Sequence, residues 1–333
     1  MNTMRIGVLS TARIVELGIV IPAKSLGYEL YSIAARDPPT AQAFAKEQGF
    51  TRYHASYEEL ISDPNIDMIY NPLPNGLHGP WNIRAMQAGK HVLTEKPFAS
   101  NFKEAIHVWD IAKKSHVLLM EGYHYSFHPV MHRMFCLLKE GMIGDLERID
   151  IVMCMPEAPE SDPRWLLDLA GGSLMDLGCY AMHIFQRLAP WGGGPPRVVD
   201  AVAHERLGHR GIDEKMDVNI DYPNGLSGAT HCDMAGDHME FTLSFTGTRG
   251  RISAKNFLHP HLDDRIEIDT TQIKSIEHLG KSYTYVHQLQ SFLDCLANRT
   301  PPAISLEESV ATIKLVDTCY RMAGMKPRPS CCL

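Results

Sequence analysis

Over its first 123 residues the chain alternates short apolar runs with helical spacing, and this alternation limits the fold more than any other feature. Arg5-Ile6-Gly7-Val8-Leu9 reads as a buried strand, and helical spacing follows through Ile14, Leu17 and Ile21. Glu29 to Ala35 is a second strand, and Asp37-Pro38-Pro39 then opens a helix through Phe44. Ser56-Tyr57-Glu58-Glu59 has the form of a capping box for a short helix. Ile66 to Tyr70 is a further strand, and a helix from about Leu77 closes at Gly89. His91-Val92-Leu93-Thr94, a helix through Ala105 and Trp109, and the strand Val117 to Met120 complete the pattern. Strands joined through helices imply right-handed crossovers and a parallel sheet, so the first domain, 1–123, is predicted to be α/β of the Rossmann type.

The texture changes in 124–333. A helix is predicted over Met131 to Lys139. Extended segments follow at Leu146–Met153, Arg197–Ala203, Met216–Tyr222, Leu226–His231, Met239–Phe245, Arg251–Ala254 and Arg265–Ile268. Turns such as Pro223-Asn224-Gly225 separate them. Two helices end the chain, the last with the capping box Ser305-Leu306-Glu307-Glu308. The expectation is an α+β domain with a large, mostly antiparallel open sheet. A length of 333 residues agrees with two domains.

A net charge of −7 favours neither a nucleic-acid surface nor a polybasic membrane patch. No window approaches a membrane span, and the N-terminus runs straight into a strand without a signal-peptide pattern. The eight cysteines are scattered, mostly within apolar runs, as in a reduced cytoplasmic protein. Cys331-Cys332-Leu333 reads as a frayed tail, because a prenylation box would need its cysteine where Ser330 stands.

Two stretches carry chemistry. Glu95-Lys96-Pro97 follows an apolar strand that Pro97 ends, which puts Lys96 at the carboxyl end of a strand, where open α/β sheets bind ligands. A surface lysine before a turn is the plain alternative. The second is Gly171-Gly172-Ser173, leading into a helix on which Asp176, Tyr180, His183 and Arg187 share one face and Leu174, Leu177, Ala181, Ile184, Phe185 and Leu188 another. An amphipathic surface helix has the same spacing, but an acid, a phenol and an imidazole beside a glycine turn favour a site.

The turn after the first strand reads Ser10-Thr11-Ala12-Arg13-Ile14-Val15, with Ser10, Ala12 and Val15 where a dinucleotide fingerprint has glycine. The small residues still let a backbone approach pyrophosphate at a helix N-terminus. Arg36, at the end of the second strand, suits a 2′-phosphate and so NADP, with NAD possible. Asp37 argues the other way, although two following prolines fit it better to a helix cap.

The chain resembles the glucose–fructose oxidoreductase/inositol dehydrogenase family, in a branch similar to dimeric dihydrodiol dehydrogenase and NADP-dependent xylose dehydrogenase. The matching stretches are Gly7 to Ile14, Pro72-Leu73-Pro74-Asn75-Gly76-Leu77-His78, Glu95-Lys96-Pro97, Tyr125-Ser126-Phe127-His128-Pro129 and Gly171-Gly172 through Tyr180. The resemblance implies that Lys96 is a catalytic lysine, that Tyr180 donates or accepts the proton, and that Asp176 supports the pair or orients substrate. An ordinary tyrosine titrates near 10, and a nearby ammonium would lower that value. It further implies cofactor contacts from Ser10 to Ile14, Pro72, Leu73, Asn75, His78, Glu95, Lys96 and Pro97. Arg164 and Trp165 would cover the nicotinamide or line the sugar pocket. Glu121, Tyr123, Tyr125, His128, Asp176 and His183 would contact a sugar or cyclic polyol. A homodimer or dimer of dimers is implied as well.

Other readings stay open: a keto-sugar reductase, a dinucleotide-binding sugar sensor without turnover, or a glycosidase using tightly bound NAD. His124, His128 and His132 fall at helical spacing, but Pro129 interrupts them and no further ligand completes a set, so no metal is expected.

Overall fold

The computed structural model describes residues 4–331. It divides into two compact units. One holds the chain up to Tyr123 and also Tyr285–Val310; the other holds His124–Thr284 and Ala311–Pro329. The first boundary falls between residues 123 and 124, and a later segment returns to the first unit.

The first unit is built on strands β1 (Ile6–Leu9), β2 (Leu30–Ala34), β3 (Arg52–His54), β4 (Met68–Asn71), β5 (His91–Thr94) and β6 (Leu119–Glu121). They lie in the order β3-β2-β1-β4-β5-β6, and every pair is parallel. Ile6, Val8, Leu9, Met68, Ile69, Val92 and Leu93 are fully buried, as expected of strands covered on both faces. The order reverses between β1 and β4, so the loops after these two strands flank the crevice in which doubly wound sheets bind ligands.

The second unit carries β7 (Leu146–Pro156), β8 (Arg197–Glu205), β9 (Asp213–Asp221), β10 (Ser227–Gly236), β11 (Glu240–Gly247), β12 (Gly250–Ala254), β13 (Arg265–Thr270) and β14 (Lys274–His278). Their order is β14-β13-β12-β11-β7-β10-β9-β8. All pairs are antiparallel except β7 with β10. On β9, Met216, Val218 and Ile220 are buried while the residues between them face outward. The helix Cys179–Arg187 lies on this apolar face, where a side chain at Gly228 would run into the Phe185 ring.

β3 and β14 are not signalled by the sequence. Each is the edge of its sheet and mostly exposed, so neither needs the apolar pattern that marks a buried strand. At both sequence-predicted capping boxes the cap hydroxyl accepts from the amide three residues on, with Glu59 N–H donating to Ser56 Oγ at 3.1 Å and Glu308 N–H to Ser305 Oγ at 3.1 Å, while the Glu59 carboxylate accepts from Ala55 N–H at 3.0 Å. Cys136, Cys154, Cys232, Cys295 and Cys319 are free thiols. Cys332 and Leu333, part of the predicted frayed tail, lie outside the described residues. No described helix is long and apolar enough to cross a membrane.

Candidate active site

In the first unit the turn after β5 is fixed from four directions. Tyr70 Oη donates to Glu95 Oε1 at 2.9 Å, and His78 Nδ1 lies 2.7 Å from the Pro97 carbonyl. Phe98 N–H donates to Glu121 Oε1 at 2.9 Å, and Asn82 Nδ2 donates to the Phe98 carbonyl at 3.4 Å. Asn71 extends the network, donating to Asn82 Oδ1 at 2.8 Å and accepting from Leu73 N–H at 3.4 Å. Burial, helped by the Lys96 charge, lowers His78 to about 4. The ring is therefore neutral at pH 7 and donates its Nδ1 proton to Pro97. Glu95, Pro97 and Phe98 are buried and Lys96 is half-buried, so a cation rises from a backbone that is held in place.

The turn after β1 shows how the glycine fingerprint is replaced. Ser10 adopts φ 89°, the left-handed region that favours glycine, at a cost of about 1–2 kcal/mol. Ser10 N–H donates to the Ala34 carbonyl at 2.7 Å, and Ser10 Oγ accepts from Ala12 N–H at 3.1 Å. Thr11, Ala12 and Ile14 are half-buried and Arg13 is exposed. Arg36 is exposed at the end of β2, and Asp37 is committed to capping its helix by accepting from Thr40 N–H at 3.0 Å. Tyr57, which the sequence reading did not place at the cofactor turn, stands beside Ser10 and Arg36: burial raises its phenol, opposed by the Arg36 charge and a hydrogen bond with Ser10. Pro72 and Leu73 are buried and Asn75 half-buried at the start of the helix Asn75–Gln87. A strand, a glycine-shaped turn and a helix start at the point where strand order reverses fit a dinucleotide.

In the second unit the helix after Gly171-Gly172 opens with a π turn, Leu174–Gly178, and continues as Cys179–Arg187. Of its predicted polar face, Asp176, Tyr180 and His183 are buried and Arg187 is half-buried. Tyr180 Oη lies 3.0 Å from His124 Nε2, and His124 Nδ1 lies 2.7 Å from Thr284 Oγ1. Asp176 Oδ2 accepts from Arg164 Nε at 2.7 Å, and Arg164 Nη1 also pairs with Asp162 at 3.1 Å. The Asp176 charge is the main cause of an Arg164 pKa raised above its ordinary value.

Comparison with known proteins agrees with this geometry. Residues 5–123 match the GFO_IDH_MocA oxidoreductase family with its NAD-binding Rossmann fold, and residues 131–253 match the GFO/IDH/MocA C-terminal domain. The chain belongs to the GFO/IDH/MocA family. It is 30% identical to D-xylose 1-dehydrogenase (NADP(+)) 2 of Haloferax volcanii over 96% of this chain and 97% of that one. It is 27% identical to trans-1,2-dihydrobenzene-1,2-diol dehydrogenase of Mus musculus over 90% of each. Among solved structures, a 3-ketoreductase from Actinomadura kijaniata in complex with NADP and TDP-benzene superposes with a TM-score of 0.87. It is 25% identical to this chain, with 95% of this chain and 97% of that one covered. As a GFO/IDH/MocA protein, this chain is an oxidoreductase.

Several residues read as ligand contacts also have partners within the protein. His78 holds the Pro97 carbonyl through Nδ1 and so positions the lysine turn, while its Nε2 makes no hydrogen bond within the protein. Trp165 is buried, its indole N–H donates to the Ala158 carbonyl at 3.2 Å, and Arg206 covers its ring at 4.0 Å. His183 is fully buried with Nδ1 2.7 Å from Tyr125 Oη, so that pair braces the helix from within. His128 caps the helix Pro129–Lys139 by accepting from Val130 N–H at 3.2 Å, an unusual role for histidine that no cap rule signals. Tyr123 is buried at the end of the first unit. His124 is the main residue that sequence reasoning missed, since its partner lies 56 positions away.

Glu121 is fully buried beside Tyr123, Ser309 and Glu308, and burial pushes its carboxyl from 4.5 to about 7. The folded protein therefore holds this proton more tightly than the unfolded chain does. The resulting stability is full below about pH 4 and is lost as pH rises through 7, on the order of 3 kcal/mol in all. Glu121→Gln, which still accepts from Phe98 N–H, should remove this pH dependence. Urea unfolding at pH 5 and pH 8 checks it, and an unchanged difference between the two pH values in the variant would refute the assignment.

Proposed function

We propose that this protein transfers a hydride between NADP(H) and a hydroxyl-bearing carbon of a neutral sugar or cyclic diol, with Tyr180 and Lys96 handling the substrate oxygen. The observation that carries this reading is the buried Tyr180–His124–Thr284 chain on a helix entered through a double glycine. The bound cofactor supplies or accepts the hydride. Ser10 to Ile14 and Arg36 would hold its phosphates, and Pro72, Leu73 and Asn75 would flank it from the loop after β4.

Tyr180 Oη gives a proton to the substrate oxygen in reduction and takes it in oxidation. His124 Nε2 is the neighbour with which the phenol exchanges that proton, and Thr284 Oγ1 fixes the imidazole ring through its other nitrogen. Lys96 stabilises negative charge on the same oxygen as it develops. Asp176, held by Arg164, orients the substrate hydroxyls next to that oxygen. Tyr125 supports the helix through His183.

A neutral substrate is favoured over a nucleotide-linked sugar by the state of the nearby cations. Arg164 is already bound by Asp162 and Asp176, and Arg206 by Glu157, Glu160 and Glu214. Neither guanidinium is available for a diphosphate without giving up these carboxylates.

The reading is tested by following NADPH at 340 nm with a panel of aldoses, inositols and trans-dihydrodiols, with NAD in parallel and Arg36→Ala as a second enzyme. Turnover of a neutral polyol is expected, with Arg36→Ala weakening NADP while NAD is nearly unaffected. Equal loss for both cofactors would refute the 2′-phosphate role. Silence on the whole panel together with tight NADPH binding would replace the proposed reaction with a sensor or with a reductase of charged keto-sugars.

A further inference from the structure

The double glycine before the candidate catalytic helix is explained by what crowds it. A Cβ at Gly171 would fall on the Arg164 carbonyl oxygen. Gly172 has φ 121°, and a Cβ there would fall on Asp213 Oδ1 and Arg328 Nη2. Those two side chains form an ion pair that is almost completely buried.

The pair grips the turn from both ends. Asp213 Oδ2 accepts from Ser173 Oγ at 3.0 Å and from Leu174 N–H, the first amide of the π turn, at 2.7 Å. Its other oxygen accepts from Tyr320 Oη at 3.1 Å and from Arg328. Arg328 Nε donates to the Gly171 carbonyl at 2.6 Å and Nη1 to the Gly211 carbonyl at 2.7 Å, while the guanidinium lies over the Tyr320 ring at 4.0 Å. A buried carboxylate that accepts four hydrogen bonds, facing a guanidinium with three acceptors, is costly to assemble and rigid once satisfied. Its targets are the backbone on either side of Gly172, two residues before Leu174 and eight before Tyr180.

We infer that Arg328 and Asp213 are positioning residues that set where the helix carrying Asp176 and Tyr180 begins, making the segment after the last helix a working part of the active site. This rests on the reading of Tyr180 as the proton-handling residue. A guanidinium serves three acceptors from three separate nitrogens, whereas the single nitrogen of a lysine cannot span them. The charge survives in Arg328→Lys but the grip does not.

The test compares wild type with Arg328→Lys in three measurements on the full chain: steady-state kinetics, NADPH binding by fluorescence, and peptide-resolved hydrogen exchange. Arg328→Lys should reduce kcat at least tenfold with KM and Kd for NADPH unchanged, and should speed exchange selectively in the peptide spanning 171–182. A general loss of fold would instead speed exchange throughout the second unit. If Arg328→Lys does not fold, the neutral pair Asp213→Asn with Arg328→Met, which strands no buried charge, takes its place with the same expectations. Wild-type kcat in a folded variant, or reduced kcat with unchanged exchange at 171–182, would overturn the inference. A wild-type enzyme without turnover on any substrate would remove the functional reading, and the exchange comparison would still decide whether the grip exists.

Discussion

Tyr180→Phe is expected to reduce turnover by about two orders of magnitude or more, the usual contribution of a positioned acid or base, while NADPH binding survives. The change removes one oxygen and keeps the ring, which packs edge-on against Tyr125 at 5.9 Å and His124 at 5.7 Å. The fold has little reason to respond. His124 Nε2 loses its partner at 3.0 Å but keeps Thr284 at 2.7 Å on the other nitrogen, so the imidazole stays oriented. In the proposed reaction the lost hydroxyl is the group that exchanges a proton with substrate. The defect should therefore appear in kcat and in kcat/KM alike, the signature of an interaction made in the transition state. Single-turnover hydride transfer monitored at 340 nm, with NADPH titrated separately, makes the measurement. Turnover within threefold of wild type would remove Tyr180 from the mechanism and leave His124 without its proposed task.

Much of this protein could be read from its sequence, and the reasons differ between fold and site. The strands β1, β4 and β5 are buried on both faces, so burial forces continuous apolar runs that a reader can find. β3 and β14 sit at sheet edges, where Arg52-Tyr53-His54 and Lys274 to His278 obey no such demand. At the site, Lys96 and the Gly171-Gly172 turn were visible because proline and glycine mark backbone geometry locally. The residues that hold them in place were not visible. His124 meets Tyr180, and Arg328 meets Asp213, only after the chain has folded, across 56 and 115 positions. Helical spacing predicted Asp176, Tyr180, His183 and Arg187 on one face; Asp176 lies in the π turn and the other three in the helix after it, and spacing carries no sign of burial. Asp176, Tyr180 and His183 are buried, with partners in Arg164, His124 and Tyr125.

The same limit applies to the missing third glycine of the dinucleotide turn, and Gly18→Ala should expose it. Val15 stands at that fingerprint position and is fully buried without difficulty. The close approach between helix and sheet happens instead at Gly18, where a Cβ would fall on the Tyr70 hydroxyl. That hydroxyl is buried and donates to Glu95 Oε1 at 2.9 Å, joining the helix after β1 to the Glu95-Lys96-Pro97 turn. An alanine must push Tyr70 aside. Overpacking costs about 1–3 kcal/mol, and a lost buried hydrogen bond to a carboxylate costs about 1.5–3 kcal/mol. The sum, about 2.5–6 kcal/mol, corresponds to a fall in the thermal midpoint on the order of 10 °C. Tyr70→Phe supplies the control. It removes the colliding oxygen, but the ring carbon Cζ still stands 2.8 Å from the new Cβ. The double variant should therefore be more stable than the sum of the single losses predicts, without reaching wild type. Strict additivity in calorimetry, or a Gly18→Ala midpoint close to wild type, would show that the helix and β4 have room to part and that Gly18 does not carry the third glycine's role.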